Sequence, residues 1–114
     1  MALACFHSAL FRQSSGEIAF VLKKDLRGPG VTAEQVLDAT DYVVPCFEIV
    51  DSRIRDWKIK IQDTVADNAS CGVFVLGRDR VAPRALDLAA VKMRISKNGV
   101  HVADGIGAAV QGHP

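Results

Sequence analysis

A chain of 114 residues, 49% hydrophobic and 24% charged, has room for one globular domain with one modest core. The formal net charge of +1 excludes a domain built on charge for nucleic acid or an anionic membrane, and no run reaches the ~18 apolar residues needed to span a bilayer. Cys5, Cys46 and Cys71 are odd in number, widely spaced and without a C-x-x-C pair, which points to reduced thiols and a cytoplasmic setting rather than a disulfide framework.

The opening "MALACFHSALF" has the apolar flavour of a signal h-region, but it lacks a basic n-region, contains His7 and leads into no cleavage site. Residues 1–14 differ in texture from the rest of the chain and are set apart as an N-terminal segment. "GEIAFVLKKDL" (Gly16–Leu26) reads as a strand, apolar on both faces and then charged, and "RGPG" reads as a loop. Thr32 with Gln35 three residues on is a capping-box start for a short helix carrying Val36, Leu37 and Ala39 on one side. "YVVPCFEIV" (Tyr42–Val50) is a second strand, apolar on both faces and so expected to be covered on both. Pro45 within it predicts an edge or a bulge.

"DSRIRDWKIKIQDTVADNAS" is polar and irregular, with a short helix expected around Gln62–Ala66; its Lys58 and Lys60 lie among Asp56, Asp63 and Asp67 and make a solvated mixed face. "CGVFVLG" (Cys71–Gly77) is a third strand. "VKMRISKNGVHVADG" is a hairpin, because Asn98-Gly99 is the type I′ turn pair between two alternating runs. The order β-α-β-α-β-β-β predicts an α+β domain with a mixed, mostly antiparallel sheet or roll and short helices, not a doubly wound fold.

Two carboxylates stand out. Glu17 opens one apolar strand and Glu48 sits inside another. An unpaired buried carboxylate is costly, so each must neutralise, pair with a cation or bind a metal. If the strands are neighbours, the two acids meet in an apolar setting that suits a hard divalent cation such as Mg²⁺ or Mn²⁺. The bland alternative leaves Glu17 exposed at a strand start and Glu48 paired with Arg53 or Arg55. The other candidates are weaker. His7, His101 and His113 have no partner at metal-ligand spacing, and Cys71, with no His or Asp paired to it, reads as a buried strand residue. "GIGAAVQG" has Gly105 and Gly107 but Val110 where a dinucleotide fingerprint needs a third small residue.

The span "EIAFVLKKDLRGPGVTAEQVLDATDYVVPCFEIVDSRIRDWKIKIQDTVADNASCGVFVLG" closely resembles the 2-hydroxypenta-2,4-dienoate (2-keto-4-pentenoate) hydratases of the fumarylacetoacetate hydrolase superfamily, whose close relatives include the 4-oxalocrotonate decarboxylases. "DWKIKIQDTVADNASCG" looks more like the hydratase branch. The resemblance implies part of that family's fold over residues 15–114, as an internal piece of a longer catalytic domain. In the family an E-x-E pair and a later glutamate on an "xEIV" strand hold a divalent metal. These positions fall on Ser15, Glu17 and Glu48, so Ser15 stands where the first ligand is expected. The family's catalytic lysine and its acidic partner lie upstream of E-x-E.

The implied reaction is metal-dependent hydration of 2-hydroxypenta-2,4-dienoate to 4-hydroxy-2-oxopentanoate in aromatic meta-cleavage catabolism. Ser70 is expected near the substrate carboxylate. The implied partners are the small-molecule substrate and a second copy or a homologous decarboxylase, with no nucleic acid and no membrane. Two alternatives stay open: a non-catalytic fragment packing on a homologue, favoured by Ser15, and a decarboxylase with the same metal site.

Overall fold

The computed structural model describes residues 14–110, 112 and 114. The expectations placed on residues 1–13 and on His113 lie outside these. Five strands and two short helices occur in the expected order: β1 (Ser15–Leu22), α1 (Ala33–Ala39), β2 (Thr40–Val50), α2 (Ile61–Ala66), β3 (Cys71–Leu76), β4 (Lys92–Lys97) and β5 (Val100–Ile106). Single 3-10 turns punctuate the connections. The strands form a three-stranded sheet, β1-β2-β3, and a two-stranded hairpin, β4-β5. Every named ladder is antiparallel.

Strand β1 stops at Leu22, before the charges of Lys23-Lys24-Asp25, so residues 23–26 are not part of the sheet as expected. Helix α1 starts on the predicted box: Gln35 N–H donates to Thr32 Oγ1 at 3.3 Å, and Thr32 N–H donates to Gln35 Oε1 at 2.8 Å. The hairpin turns on Asn98 and Gly99, both left-handed at φ 52° and 79° as a type I′ turn requires.

Pro45 corrects one expectation. Strand β2 is the middle strand, and neither of its register shifts falls at Pro45. In an antiparallel strand a residue's N–H and C=O point to the same neighbour. The Pro45 carbonyl accepts from Gly77 N–H at 2.7 Å, one residue beyond the end of β3. The absent N–H therefore faces a gap, between β3 and the Val43–Val81 bridge that takes over the pairing. Proline is tolerated inside the sheet because the ladder is interrupted there.

The register sorts the core into two layers. Ala19, Val21, Val44 and Cys46 cluster on one face of β1 and β2, with Tyr42 and Leu76 against them. Phe20 and Val43 cluster on the other face with Leu88, backed by Val36 and Leu37 of α1. The hairpin covers this second face at Gly16, where a Cβ would come within 2.6 Å of Met93 Sδ and 3.0 Å of Ile95 Cδ1. The expectation that β2 is covered on both faces holds for the face of Val44, Cys46 and Glu48 and for Val43, and fails on the other face at Phe47, beside the uncovered β3. Val73 and Val75 are 61% and 60% exposed, and Phe47 beside them is 44% exposed.

Candidate metal centre

Ser15 and Glu17 are two residues apart on β1 and so share a face, the face that carries Cys46 and Glu48 on β2. Ser15 lies directly opposite Glu48, and Glu17 lies directly opposite Cys46. Directly opposed Cβ atoms in such a ladder are about 4.5–5.5 Å apart and diagonal ones about 7–8 Å. The two acids are thus diagonal neighbours, with Ser15 closing the corner. All three are buried, at 4% exposure for Ser15, 2% for Glu17 and 5% for Glu48. The Ser15 hydroxyl is enclosed and has no hydrogen-bond partner. Gly16, between Ser15 and Glu17, points to the opposite face, where Met93 presses on it. Strand β1 is thereby fixed from behind.

The bland alternative is not realised at either acid. Glu17 is buried, not exposed. Glu48 has no ion pair among the described residues, because Arg53 is committed elsewhere. Its guanidinium donates to the carbonyls of Asp51 and Cys71, each at 2.7 Å, and sits 3.2 Å from Asp67 Oδ1. What meets Glu48 is the thiol of Cys71, which hydrogen-bonds it. Burial first, and then that hydrogen bond and the charge of Glu48, push the Cys71 thiol above its ordinary pKa, with Arg53 acting in the opposite sense. Cys71 is half-buried rather than the fully buried strand residue expected.

Ser70 reaches this neighbourhood by an unusual route. Asn68, Ala69 and Ser70 are all left-handed, at φ 52°, 56° and 57°. For residues with a Cβ that conformation costs about 1–2 kcal/mol each. Ser70 is 2% exposed and its hydroxyl, too, has no hydrogen-bond partner. It directly precedes the cysteine that touches Glu48. His101 lies apart on the hairpin, 3.0 Å from Asp104.

The residues present fit a hard divalent cation held openly. Among the described residues no three His, Cys, Asp or Glu side chains form a metal-holding group. The donors are two carboxylates and the partnerless Ser15 hydroxyl. Two carboxylates are the usual protein share of a Mg²⁺ site, the other oxygens coming from water and substrate. Sequence reasoning missed the Arg53–Asp67 pair and the left-handed turn. Arg53 was legible only as a possible partner of Glu48, and a left-handed run without glycine leaves no mark in composition.

No family model matches the chain. Among curated proteins it is 70% identical over 102 residues to a 2-hydroxyhexa-2,4-dienoate hydratase of Comamonas testosteroni, a match spanning 90% of this chain and 39% of that protein. It is 64% identical over 102 residues to a 2-hydroxypent-2,4-dienoate hydratase of Pseudomonas putida, spanning 90% of this chain and 46% of that protein. The chain is homologous to part of the 2-hydroxydienoate hydratases. A 4-oxalocrotonate decarboxylase of Pseudomonas sp. strain CF600 is 46% identical over 98 residues. The solved 4-oxalocrotonate decarboxylase from Pseudomonas putida G7, complexed with magnesium and adipate, superposes with a TM-score of 0.73 at 38% identity, over 89% of this chain and 38% of that one. This hydratase-related chain therefore has part of the decarboxylase fold, and it spans about two-fifths of the length of the relatives it matches.

Proposed function

We propose that residues 15–114 are the metal- and substrate-carboxylate-holding portion of a hydro-lyase that adds water to 2-hydroxypenta-2,4-dienoate and gives 4-hydroxy-2-oxopentanoate. The observation that carries this reading is the burial of Glu17 and Glu48 on one face of adjacent strands, with Ser15 opposite Glu48. Glu17 and Glu48 would hold Mg²⁺ or Mn²⁺; the magnesium named with the solved decarboxylase supports a divalent ion. When bound, such an ion supplies Lewis acidity toward the carboxylate and 2-oxygen of the dienoate.

The chain's own residues do the rest of the binding. The Ser70 hydroxyl donates a hydrogen bond to the substrate carboxylate. Protonation at C5 and delivery of water to C4 need general acid and base groups. The resemblance puts these on a lysine and an acid upstream of Ser15. A cytoplasmic setting in aromatic catabolism belongs to the same reading, supported by free Cys46 and Cys71. So does association with a second copy or with a homologous decarboxylase. The decarboxylase reading is second, because the two proteins at 64–70% identity are named hydratases.

Calorimetry with Mn²⁺ tests the site. Mn²⁺ should bind, 2-oxopentanoate (a stable 2-oxo acid) should tighten it, and Glu17→Gln or Glu48→Gln should each abolish the effect. Binding that survives both substitutions would remove these carboxylates from the site.

A further inference from the structure

The left-handed run Asn68–Ala69–Ser70 needs something to hold it, and one pair of side chains does. Asp67, with its side chain only 11% exposed, meets Arg53 Nε at 3.2 Å through Oδ1. Its Oδ2 accepts from Arg53 N–H at 3.0 Å and from Ser52 Oγ at 3.4 Å. The Arg53 guanidinium then reaches past the run to the carbonyl of Cys71, on its far side, and to the carbonyl of Asp51. Asp51 N–H donates to the Ser70 carbonyl at 2.8 Å, and Ser70 N–H to the Asp67 carbonyl at 2.9 Å. The run is thus gripped at Asp67 before it and at Cys71 after it by one planar fork, whose geometry suits several oxygen acceptors at once. Left-handed non-glycine residues persist only where the surroundings over-determine them, and they gather at functional sites.

We propose that Arg53 and Asp67 are positioning residues that fix the left-handed turn and so aim the enclosed Ser70 hydroxyl at a substrate carboxylate. Neither touches substrate or metal; both act through Ser70. The inference rests on the proposed reading of Ser70 as a carboxylate donor.

The test uses the 114-residue chain with Mn²⁺ and 2-oxopentanoate as probes. Arg53→Met should weaken 2-oxopentanoate binding about tenfold, the lower end for loss of a supporting interaction, and leave Mn²⁺ affinity unchanged. Ser70→Ala should weaken it similarly, and the double variant no further. Ala69→Gly, which lowers the cost of a left-handed residue, should restore most of the binding to Arg53→Met. If Arg53→Met does not fold, Arg53→Lys, which keeps the charge and loses the fork, replaces it. Multiplicative losses in the double variant, no rescue by glycine, or an equal fall in Mn²⁺ affinity would overturn the proposal. Three-bond HN–Hα couplings at Ala69 and Ser70 report φ without any ligand. If they stay left-handed in Arg53→Met, the clasp does not hold the turn and the proposal falls. If they change while the unsubstituted chain binds neither probe, the reading of Ser70 has failed and the clasp stands as purely structural.

Discussion

Ser15 stands directly opposite Glu48, closer in the ladder than Glu17 does, so a carboxylate there would complete the corner. Its buried hydroxyl has no partner and would be replaced by a group that needs one. Ser15→Glu is therefore expected to tighten Mn²⁺ binding, because it adds a third anionic oxygen ligand. In the metal-free chain the same substitution should lower the melting temperature, since it buries a further charge beside Glu48. Calorimetry and a thermal melt read the two effects, and an unchanged Mn²⁺ affinity would show that Ser15 does not stand at a ligand position. At this scale Glu17 and Glu48 were legible because acids inside apolar strands contradict their surroundings. Ser70 was legible through resemblance alone. The turn that carries it is set by Arg53 and Asp67, 14 residues apart, and its left-handed residues Asn68 and Ala69 look like ordinary loop sequence.

Elements were more legible than residues, because caps and turns are local. The Thr32–Gln35 box and the Asn98-Gly99 turn both formed where their residues demanded it. Gly99, at φ 79°, has nothing within 4 Å of where a Cβ would stand. Gly99→Ala should then cost about 1 kcal/mol from backbone conformation alone, measured by denaturant unfolding; no loss would mean the turn relaxes to another type. The hairpin also carries a pH signature. His101 foremost, and then Arg94, hold the exposed Asp104 carboxyl below its ordinary pKa. A lowered folded-state value means that this small contribution is present above the ordinary value and is lost as pH falls through the depressed one. An NMR titration of Asp104 should show a midpoint below 3.8, rising in His101→Ala; equal midpoints would place the cause elsewhere. What the sequence could not show was that β2 is central. Pro45 reads as an edge signal, and only the end of β3 at Leu76 explains how a middle strand accommodates it.

At the scale of the whole molecule, neither outer edge of the three-stranded sheet has a partner strand among the described residues, and the β3 side also lacks cover on its face. Helix α1 and the hairpin back the second face at β1 and Val43, but among the described residues no strand pairs with the outer edge of β3. That strand exposes Val73 at 61%, Phe74 at 39% and Val75 at 60%, with Phe47 at 44% next to them. Beyond the sheet, Trp57, Ile61 and Val65 are exposed at 45%, 71% and 75%. Full burial of one such side chain is worth ~1.5–3 kcal/mol, and an apolar strand with unpaired N–H and C=O groups is a template for another strand. No Lys, Pro or inward charge on Cys71–Leu76 blunts it. The 114-residue chain alone is therefore expected to self-associate at micromolar to millimolar concentration, or to stay soluble only with a full-length homologue. Light scattering against concentration measures this. Val73→Lys with Val75→Lys should suppress the association without touching Glu17, Glu48 or Ser70, because both side chains lie on the face away from the acids. If the unsubstituted chain is a monodisperse monomer with a sharp melt, the open edge is harmless and these residues close a core of their own. If it associates and the paired lysines change nothing, the contact runs through α2 and Trp57 instead of β3.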